Sequence, residues 1–220
     1  EEGSSDLEII SIVCDIFIEL ELEDSVLKIN HLGDKDTKEI FLSELLKYLK
    51  NYDGKLNESD SEKLNKNPLR LLDSKDSELK NFLNKGPKII DFLSPEQLNL
   101  LDMIQSVFGR YVEIELDSSL VRGLDYYTGL VFEAVSSNLG AQDSFLGGGR
   151  YDDLSQDLGG KEMPAIGFAI GLERLNLIKK QKNIKANKVI SFVTTSSKMS
   201  ALAFKIAQLL RSHNYDIRLE

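Results

Sequence analysis

The stretch Leu120–Gly129, which reads LVRGLDYYTG, combines an arginine, two glycines, a carboxylate and two adjacent tyrosines. An alternating apolar and polar run, Val131–Val135, follows it. Such alternation is typical of a half-buried strand, so the polar cluster is expected at the mouth of a strand. Side chains mounted at the end of a strand on a rigid sheet are well placed to bind ligands. We therefore predict a binding site here and an α+β fold around it.

Arg122, Tyr126 and Tyr127 are the side chains of this stretch that suit a ligand. Arginine is always charged and holds a phosphate or a carboxylate in a planar fork. Two phenols can hydrogen-bond a polar planar ligand while their rings line its walls. The alternative is a surface arginine beside a tyrosine pair that packs in a sheet. The flanking glycines and threonine favour the ligand site.

A second cluster is the glycine run Gly147–Gly149, which precedes Arg150, Tyr151 and Asp152. Three glycines let a backbone approach a ligand closely or adopt positive φ angles. We expect a tight turn here, leading into a helix capped near Asp152. The run lacks the lysine and hydroxyl residue of a P-loop, so a phosphate cradle of that type is not predicted.

A third cluster is Ala165–Leu175, which reads AIGFAIGLERL. It predicts a buried strand over Ala165–Ile170, followed by a helix that starts near Gly171 and carries Arg174 in its first turn. A cation is unfavourable at the positive N-terminus of a helix, and a bound anion would compensate for it. The alternative is a solvated arginine.

Composition excludes several classes of protein. The formal charge of −9 argues against indiscriminate binding of DNA or RNA, although a local basic patch could still meet an RNA partner. No apolar run approaches the roughly 18 residues of a membrane helix, and the N-terminal residues lack a signal-peptide pattern. One cysteine and two distant histidines predict neither an internal disulfide nor a metal site. We expect a cytoplasmic protein that binds neither DNA nor a membrane.

The rest of the chain predicts helices around an antiparallel sheet. Helical periodicity covers Asp6–Leu22, and a second helix is capped by Asp34 or Asp36. A third helix starts at Ser94 with a capping-box pattern and ends at Gly109. The charged stretch between them predicts small helices. The predicted strands are Val26–Leu32, Tyr111–Leu116, Leu130–Val135, Asp143–Leu146 and Ala165–Ile170.

The last part of the chain has a different pattern. A continuous apolar run, Val189–Val193, precedes an amphipathic helix over Lys198–Ser212 and an alternating strand over Tyr215–Leu219. Together they predict the opening of a βαβ unit.

Five segments resemble one family in order. Leu120–Tyr127 resembles the histidine-specific signature of histidyl-tRNA synthetases, and Gly167–Arg174 resembles motif 3 of class II aminoacyl-tRNA synthetases. Leu27–Gly33, Asn67–Lys75 and Gly148–Asp152 also match that family's pattern. The resemblance covers essentially the whole chain and implies a class II synthetase-type antiparallel sheet with flanking helices.

The resemblance also implies a division of the chain. Residues 1–50 would be the end of the first half of the catalytic domain, and 51–93 a small helical insertion. Residues 94–183 would complete the catalytic domain, with the histidine signature and motif 3. Residues 184–220 would begin an α/β anticodon-binding domain.

The family's reaction is the ATP-dependent activation of histidine to histidyl-adenylate, followed by transfer to tRNA(His). In-line attack on a phosphate is catalysed mainly by positioning and charge neutralisation. By resemblance, Arg122 is the catalytic residue that meets the α-phosphate and the histidine carboxylate. Mg²⁺ would arrive with ATP, and the full-length protein would be a homodimer. The implied histidine-binding residues are Arg122, Tyr126, Tyr127, Gly148, Gly149 and Tyr151, and the implied ATP-binding residues are Arg122, Gly171 and Arg174.

The chain departs from the family's pattern in one respect. Motif 1 and nearly all of motif 2 are absent from the 220 residues. We therefore expect this polypeptide alone not to activate histidine. Two alternatives stay open: the regulatory paralogue that partners a phosphoribosyltransferase of histidine biosynthesis, and a folding fragment without a ligand. The complete signature and the predicted anticodon-binding domain argue against the paralogue.

Overall fold

The computed structural model describes residues 3–121, 126–180, 189–192, 199–213 and 215–219. The chain divides into two compact units, residues 1–180 and residues 181–220.

The first unit contains a five-stranded sheet in the order β2-β1-β3-β4-β5. β1 and β2 run parallel, whereas the other three pairs are antiparallel. The expectation of a wholly antiparallel sheet was therefore wrong for β2. A parallel neighbour needs a crossover connection, and the helices between β1 and β2 supply it. The strands are β1 Ser25–His31, β2 Ile114–Leu116, β3 Thr128–Ser136, β4 Ser144–Arg150 and β5 Ile166–Ile170.

Helices account for most of the remaining first unit. The predicted small helices in the charged stretch are confirmed. Short 3₁₀ helices cover Pro68–Asp73 and Ile89–Phe92, and a further one, Ser137–Leu139, lies between β3 and β4. The α-helices are α1 Ser4–Glu19, α2 Lys35–Leu49, α3 Glu58–Lys66, α4 Ser77–Leu83, α5 Pro95–Phe108, α6 Leu154–Asp157 and α7 Leu172–Ile178.

Two predicted helix starts are confirmed in atomic detail. The Asp34 carboxylate accepts a hydrogen bond from the Thr37 amide at 2.8 Å, so Asp34, not Asp36, caps α2. Ser94 and Gln97 form the reciprocal capping box of α5. Each pair satisfies amides that a helix N-terminus leaves without partners.

Side chains from opposite faces of β3 enter two different apolar clusters. Leu130, Phe132 and Ala134 pack in a core with α1 and α5. Val131 packs in a second core with α2 and the small helices of residues 58–92. This alternation follows from the twofold side-chain period of a strand. Because the second core also contains Tyr127, it supports one of the predicted site residues.

β5 is only partly buried, and it lies at the edge of the sheet. The expectation of a fully buried strand over Ala165–Ile170 was therefore wrong. β5 pairs with a neighbour on one side only, so less of its surface is covered.

The second unit is a βαβ arrangement. β6 (Val189–Phe192) pairs in parallel with β7 (Asp216–Leu219), and α8 (Ser200–Ser212) connects them. Ala203, Ala207 and Ile217 are its buried apolar residues within the described part. This confirms the predicted order of elements, although Val193 and Lys198 lie outside the described residues. Across the ranges that the structure describes, no helix has the length and apolar character needed to cross a membrane.

Candidate active site

Three tyrosines form a contiguous aromatic cluster. The ring centroids of Tyr126 and Tyr127 are 4.6 Å apart, and Tyr151 meets them edge-on at 5.8 and 6.3 Å. Such separations are typical of attractive ring contacts. The cluster lines a cavity of about 300 Å³, and we call it the aromatic cavity. Its other lining residues are Gly147, Leu154, Gly167, Phe168 and Ala169.

The glycine run lies inside strand β4, so the expected turn at Gly147–Gly149 was wrong. A Cβ atom on Gly148 would lie 2.4 Å from the Gly167 carbonyl oxygen and 2.6 Å from the Phe132 ring. A Cβ on Gly149 would lie 2.8 Å from the Tyr127 ring. The glycines are therefore needed for close packing within the strand.

The glycines of β4 also differ in what they face. Gly147 lines the aromatic cavity, and Gly149 lies beneath the ring of Tyr127. Because side chains alternate along a strand, Gly148 points to the opposite face, toward Phe132 and Phe168. The structure thus brings Tyr126, Tyr127, Tyr151 and Gly149 together and directs Gly148 away from them.

Arg122 lies outside the described residues, but side chains hold the backbone on both sides of it. The buried Asn30 amide donates a hydrogen bond to the Leu120 carbonyl at 3.0 Å. Lys38 Nζ donates to the Tyr127 carbonyl at 2.7 Å. Burial lowers the pKa of Lys38. Neither contact was predicted from sequence, because the partners are 90 and 89 residues apart and carry no shared pattern.

Arg174 lies in a second, larger cavity of about 650 Å³, the charged cavity. Its guanidinium donates three hydrogen bonds of 2.7 Å, to the carbonyls of Gln142 and Ser144 and to the Gln142 side chain. Gly171 immediately precedes the helix of Arg174, and its amide donates to the Phe145 carbonyl. The charged lining residues are Lys28, Asp73, Lys75, Lys80, Asp117, Glu133, Asp143 and Arg174.

One cross-strand pair contributes a residue to each of the two cavities. Glu133 lines the charged cavity, Gly147 lines the aromatic cavity, and the two residues are direct partners between β3 and β4. Directly opposed residues in antiparallel strands lie about 5 Å apart. The two cavities are therefore lined by adjacent positions of the sheet.

Among the described residues, no group of three or more His, Cys, Asp or Glu side chains could hold a metal ion. Glu133 accepts a hydrogen bond from the Ser144 hydroxyl, and Asp117 pairs with Lys28.

A buried ion-pair network lies beside the aromatic cavity. Arg150, only 4% exposed, donates to both carboxylate oxygens of Asp6 at 3.0 and 2.6 Å and to Asp152 at 3.0 Å. Burial disfavours the charge, but the contacts with Asp6 and Asp152 outweigh it and raise the pKa of Arg150. α6 begins next to Asp152, as expected, with Asp153 at its N-cap position but without a side-chain cap hydrogen bond. The Asp152 carboxylate is engaged by Arg150 and the Ala165 amide.

His31 is the buried histidine of the described chain, with 1% exposure. Its Nδ1 accepts a hydrogen bond from the Gly33 amide at 3.0 Å. Burial, opposed in part by Asp6, lowers the pKa of His31 to about 4. The imidazole is therefore neutral near pH 7 and supports the turn after β1.

Comparison with known proteins gives a consistent result. A family model described as histidyl-tRNA synthetase matches residues 1–175. A histidine–tRNA ligase of Synechococcus sp. (strain JA-3-3Ab) is 39% identical over 220 residues, covering 98% of this chain and 52% of the relative. A histidine–tRNA ligase of Francisella philomiragia is 45% identical over 175 residues, covering 79% of this chain and 41% of the relative.

A solved structure has the same fold. The crystal structure of apo S. aureus histidyl-tRNA synthetase aligns with a TM-score of 0.64 and 25% identity, covering all of this chain and 55% of that one. The chain spans about half the length of the curated relatives it matches.

Proposed function

The chain belongs to the histidyl-tRNA synthetase family, and from that premise we propose that it binds histidine and ATP for the activation of histidine. The observation that carries the proposal is that neighbouring strands line both cavities, with the cross-strand partners Glu133 and Gly147 in the charged and the aromatic cavity. Activation requires an amino acid and a nucleotide phosphate side by side. Two adjoining cavities of different chemistry suit these two substrates.

The aromatic cavity receives the histidine side chain. An imidazole is planar and carries one donor and one acceptor when neutral, so phenol rings and hydroxyls can line and bond it. We assign the imidazole edge to Tyr127 and the walls to Tyr126 and Tyr151. Gly149 leaves space for Tyr127 by lacking a side chain.

The charged cavity receives ATP, with Mg²⁺ as part of that substrate. Arg174 uses three guanidinium N–H donors in its contacts with Gln142 and Ser144. A guanidinium has five, so two donors and the planar face stay available for a phosphate and for the adenine ring. Those contacts hold the guanidinium in one orientation before a ligand arrives. Gly171 lies at the start of α7, beside the stem of Arg174.

The reaction proposed for the whole protein has two steps. A histidine carboxylate oxygen attacks the α-phosphorus of ATP, the bond to the bridging oxygen breaks, and pyrophosphate leaves. A terminal hydroxyl of tRNA(His) then attacks the acyl carbon and releases AMP. Arg122, assigned by the family signature, neutralises charge on the α-phosphate and the histidine carboxylate.

We also propose the partners and the domain roles from the same premise. tRNA(His) is the acyl acceptor, and the full protein is a cytoplasmic homodimer. Residues 51–93 form the helical insertion between the catalytic parts 1–50 and 94–183, and residues 184–220 begin the anticodon-binding domain. Because the chain spans about half the length of its relatives, we assign substrate binding, and not turnover, to the 220 residues by themselves.

Calorimetric titration with histidine and with ATP tests the proposal. Tyr127→Phe is expected to weaken histidine binding, and Arg174→Gln is expected to weaken ATP binding while histidine affinity is kept. Tyr111→Phe and Arg110→Gln are matched controls, because these residues line neither of the two cavities. No heat of binding at millimolar histidine would contradict the proposal. ATP–pyrophosphate exchange by the 220 residues would contradict the assignment of binding without turnover.

A further inference from the structure

We infer that Asp6, Arg150 and Asp152 are positioning residues that set the orientation of Tyr151 in the aromatic cavity. The inference rests on the proposed function, since it concerns the same histidine pocket. It adds three residues to that pocket, none of which lines the cavity itself.

Hydrogen bonds hold the Arg150 side chain in one orientation. Its Nε and one terminal nitrogen bond the two oxygens of Asp6, and the other terminal nitrogen bonds Asp152. A bidentate arginine–carboxylate pair fixes the guanidinium plane as well as its distance. The Asp6 side chain is fully buried and that of Arg150 is 5% exposed, so water does not compete for these bonds.

Hydrogen bonds also fix the backbone on both sides of Tyr151. The Asp152 carboxylate accepts from the Ala165 amide at 3.0 Å, and the Asp152 amide donates to the Thr128 hydroxyl at 3.1 Å. The Tyr151 amide donates to the Ala165 carbonyl at 2.7 Å. The backbone on either side of the ring is therefore bound to the starts of β3 and β5.

The direction of the Tyr151 ring follows from the position of this backbone. The Tyr151 hydroxyl lies beside Gly167, where a Cβ atom would be 2.9 Å from its oxygen. The ring also meets Tyr126 and Tyr127 edge-on. A small tilt of residues 150–152 would move the hydroxyl and change the cavity wall. Groups that bind a ligand need support of this kind to stay within about 0.5 Å of their working position.

Asp6 connects this network to the start of α1. Asp6 lies in the first turn of α1, and its carboxylate also accepts from the Gly3 amide at 2.6 Å. It is 144 residues from Arg150 in sequence. The start of α1 and the Arg150 guanidinium thus share one carboxylate, so a change at Asp6 is expected to alter the orientation of Tyr151.

A role of Asp6, Arg150 and Asp152 in stability alone can be separated from a role in positioning Tyr151 by the choice of variants. A buried ion pair can often be replaced by apolar side chains without loss of stability, whereas removal of one partner leaves a costly buried charge. The double variant Asp6→Leu/Arg150→Met removes both charges together. Asp152→Asn is a milder change, because its side chain is partly exposed and the amide oxygen can still accept from Ala165.

Near-ultraviolet circular dichroism reports on the packing of the seven tyrosines, because the chain has no tryptophan. Tyr151→Phe defines the contribution of Tyr151 to the tyrosine band. We expect Asp152→Asn and the double variant to reduce the band toward that of Tyr151→Phe, and Arg150→Lys to be intermediate. Histidine affinity should fall about tenfold in Asp152→Asn, the equivalent of one hydrogen bond.

Leu101→Ala is the matched control, because it opens a cavity in the core around α5 and destabilises the chain without touching the network. It should lower the melting temperature and leave the tyrosine band in place. The inference is overturned if Asp152→Asn and the double variant keep the band of the unsubstituted chain, or if Leu101→Ala loses it equally. Failure of the unsubstituted chain to bind histidine would instead count against the proposed function, because the tyrosine band is measured without ligand.

Discussion

Lys38 Nζ and the carbonyl oxygen of Tyr127 are joined by a hydrogen bond of 2.7 Å. Lys38 belongs to α2, and Tyr127 precedes β3 by one residue. The contact therefore ties the helix that follows β1 to the tyrosine pair of the aromatic cavity. Burial lowers the pKa of the ammonium group, which is the expected effect of removing a charge from water.

Replacing Lys38 with methionine should separate this bond from the packing of the lysine stem. We expect the free energy of unfolding to fall by about 1 kcal/mol, because the Tyr127 carbonyl loses a donor in a partly buried place. Histidine affinity should fall as well. Urea unfolding and calorimetry measure the two effects. Lys35→Met, an exposed change on the same helix, is the control, and equal behaviour of the two variants would contradict the role assigned to Lys38.

Local signals predicted the elements of this fold better than the contacts that support the site. The capping box of α5 and the alternation of β3 depend on neighbours in sequence, and both were predicted correctly. The Asp6–Arg150 pair joins residues 144 apart and follows no periodic pattern. The alternation of apolar and polar residues does not indicate whether a strand runs parallel or antiparallel to its neighbour. For this reason β2 was expected to be antiparallel, although it pairs in parallel with β1.

The glycine run shows a different limit of sequence reasoning. Glycine is favoured both in tight turns and where another chain approaches a strand closely, so Gly147–Gly149 suited both. In the structure the glycines allow the rings of Phe132 and Tyr127 to approach the strand closely, and these rings belong to other parts of the chain. The aromatic residues of the candidate site were predicted from their local motifs, whereas the hydrogen-bond network beside them is seen only in the three-dimensional structure.

His31 should make the chain sensitive to acid. Burial lowers its pKa to about 4, against an ordinary value of 6.5. Between these values the unfolded chain binds a proton that the folded chain does not, so stability falls as the pH falls. The full effect corresponds to about 3 kcal/mol, reached near pH 4. Asp6 and Asp34 favour the charged form, whereas Arg150 and Lys38 oppose it.

Denaturant unfolding at several pH values tests this expectation. His31→Gln should flatten the dependence of unfolding free energy on pH between about 6.5 and 4 relative to the unsubstituted chain. His213→Gln, a change at an exposed histidine, should keep the original slope. Identical slopes for His31→Gln and the unsubstituted chain would show that His31 does not cause the acid sensitivity.

Cys14 should be inert while the chain is folded. Burial raises the pKa of its thiol to about 11, with a smaller contribution from Asp15. The thiolate is the reactive form, so at pH 8 its population is about 100-fold below that of an ordinary cysteine. A chromogenic disulfide reagent should label the chain only after denaturation, and Cys14→Ala supplies the blank. Rapid labelling of the native chain would contradict the prediction.

Two glycine substitutions should differ sharply in their cost. A Cβ atom on Gly148 would lie within 2.6 Å of the Gly167 carbonyl, the Phe132 ring and the Phe168 side chain. Two of those neighbours belong to the packed core or its edge and one is backbone, so none can withdraw freely. Gly148→Ala should therefore destabilise the chain by about 1–3 kcal/mol or more.

A Cβ on Gly171 would meet its nearest neighbour at 3.6 Å, an ordinary contact, and its φ of −77° suits any residue. Gly171→Ala should leave the free energy of unfolding within about 0.5 kcal/mol of its starting value. Urea unfolding of both variants decides the point, and similar losses in the two would show that β4 and β5 can separate to admit a methyl group.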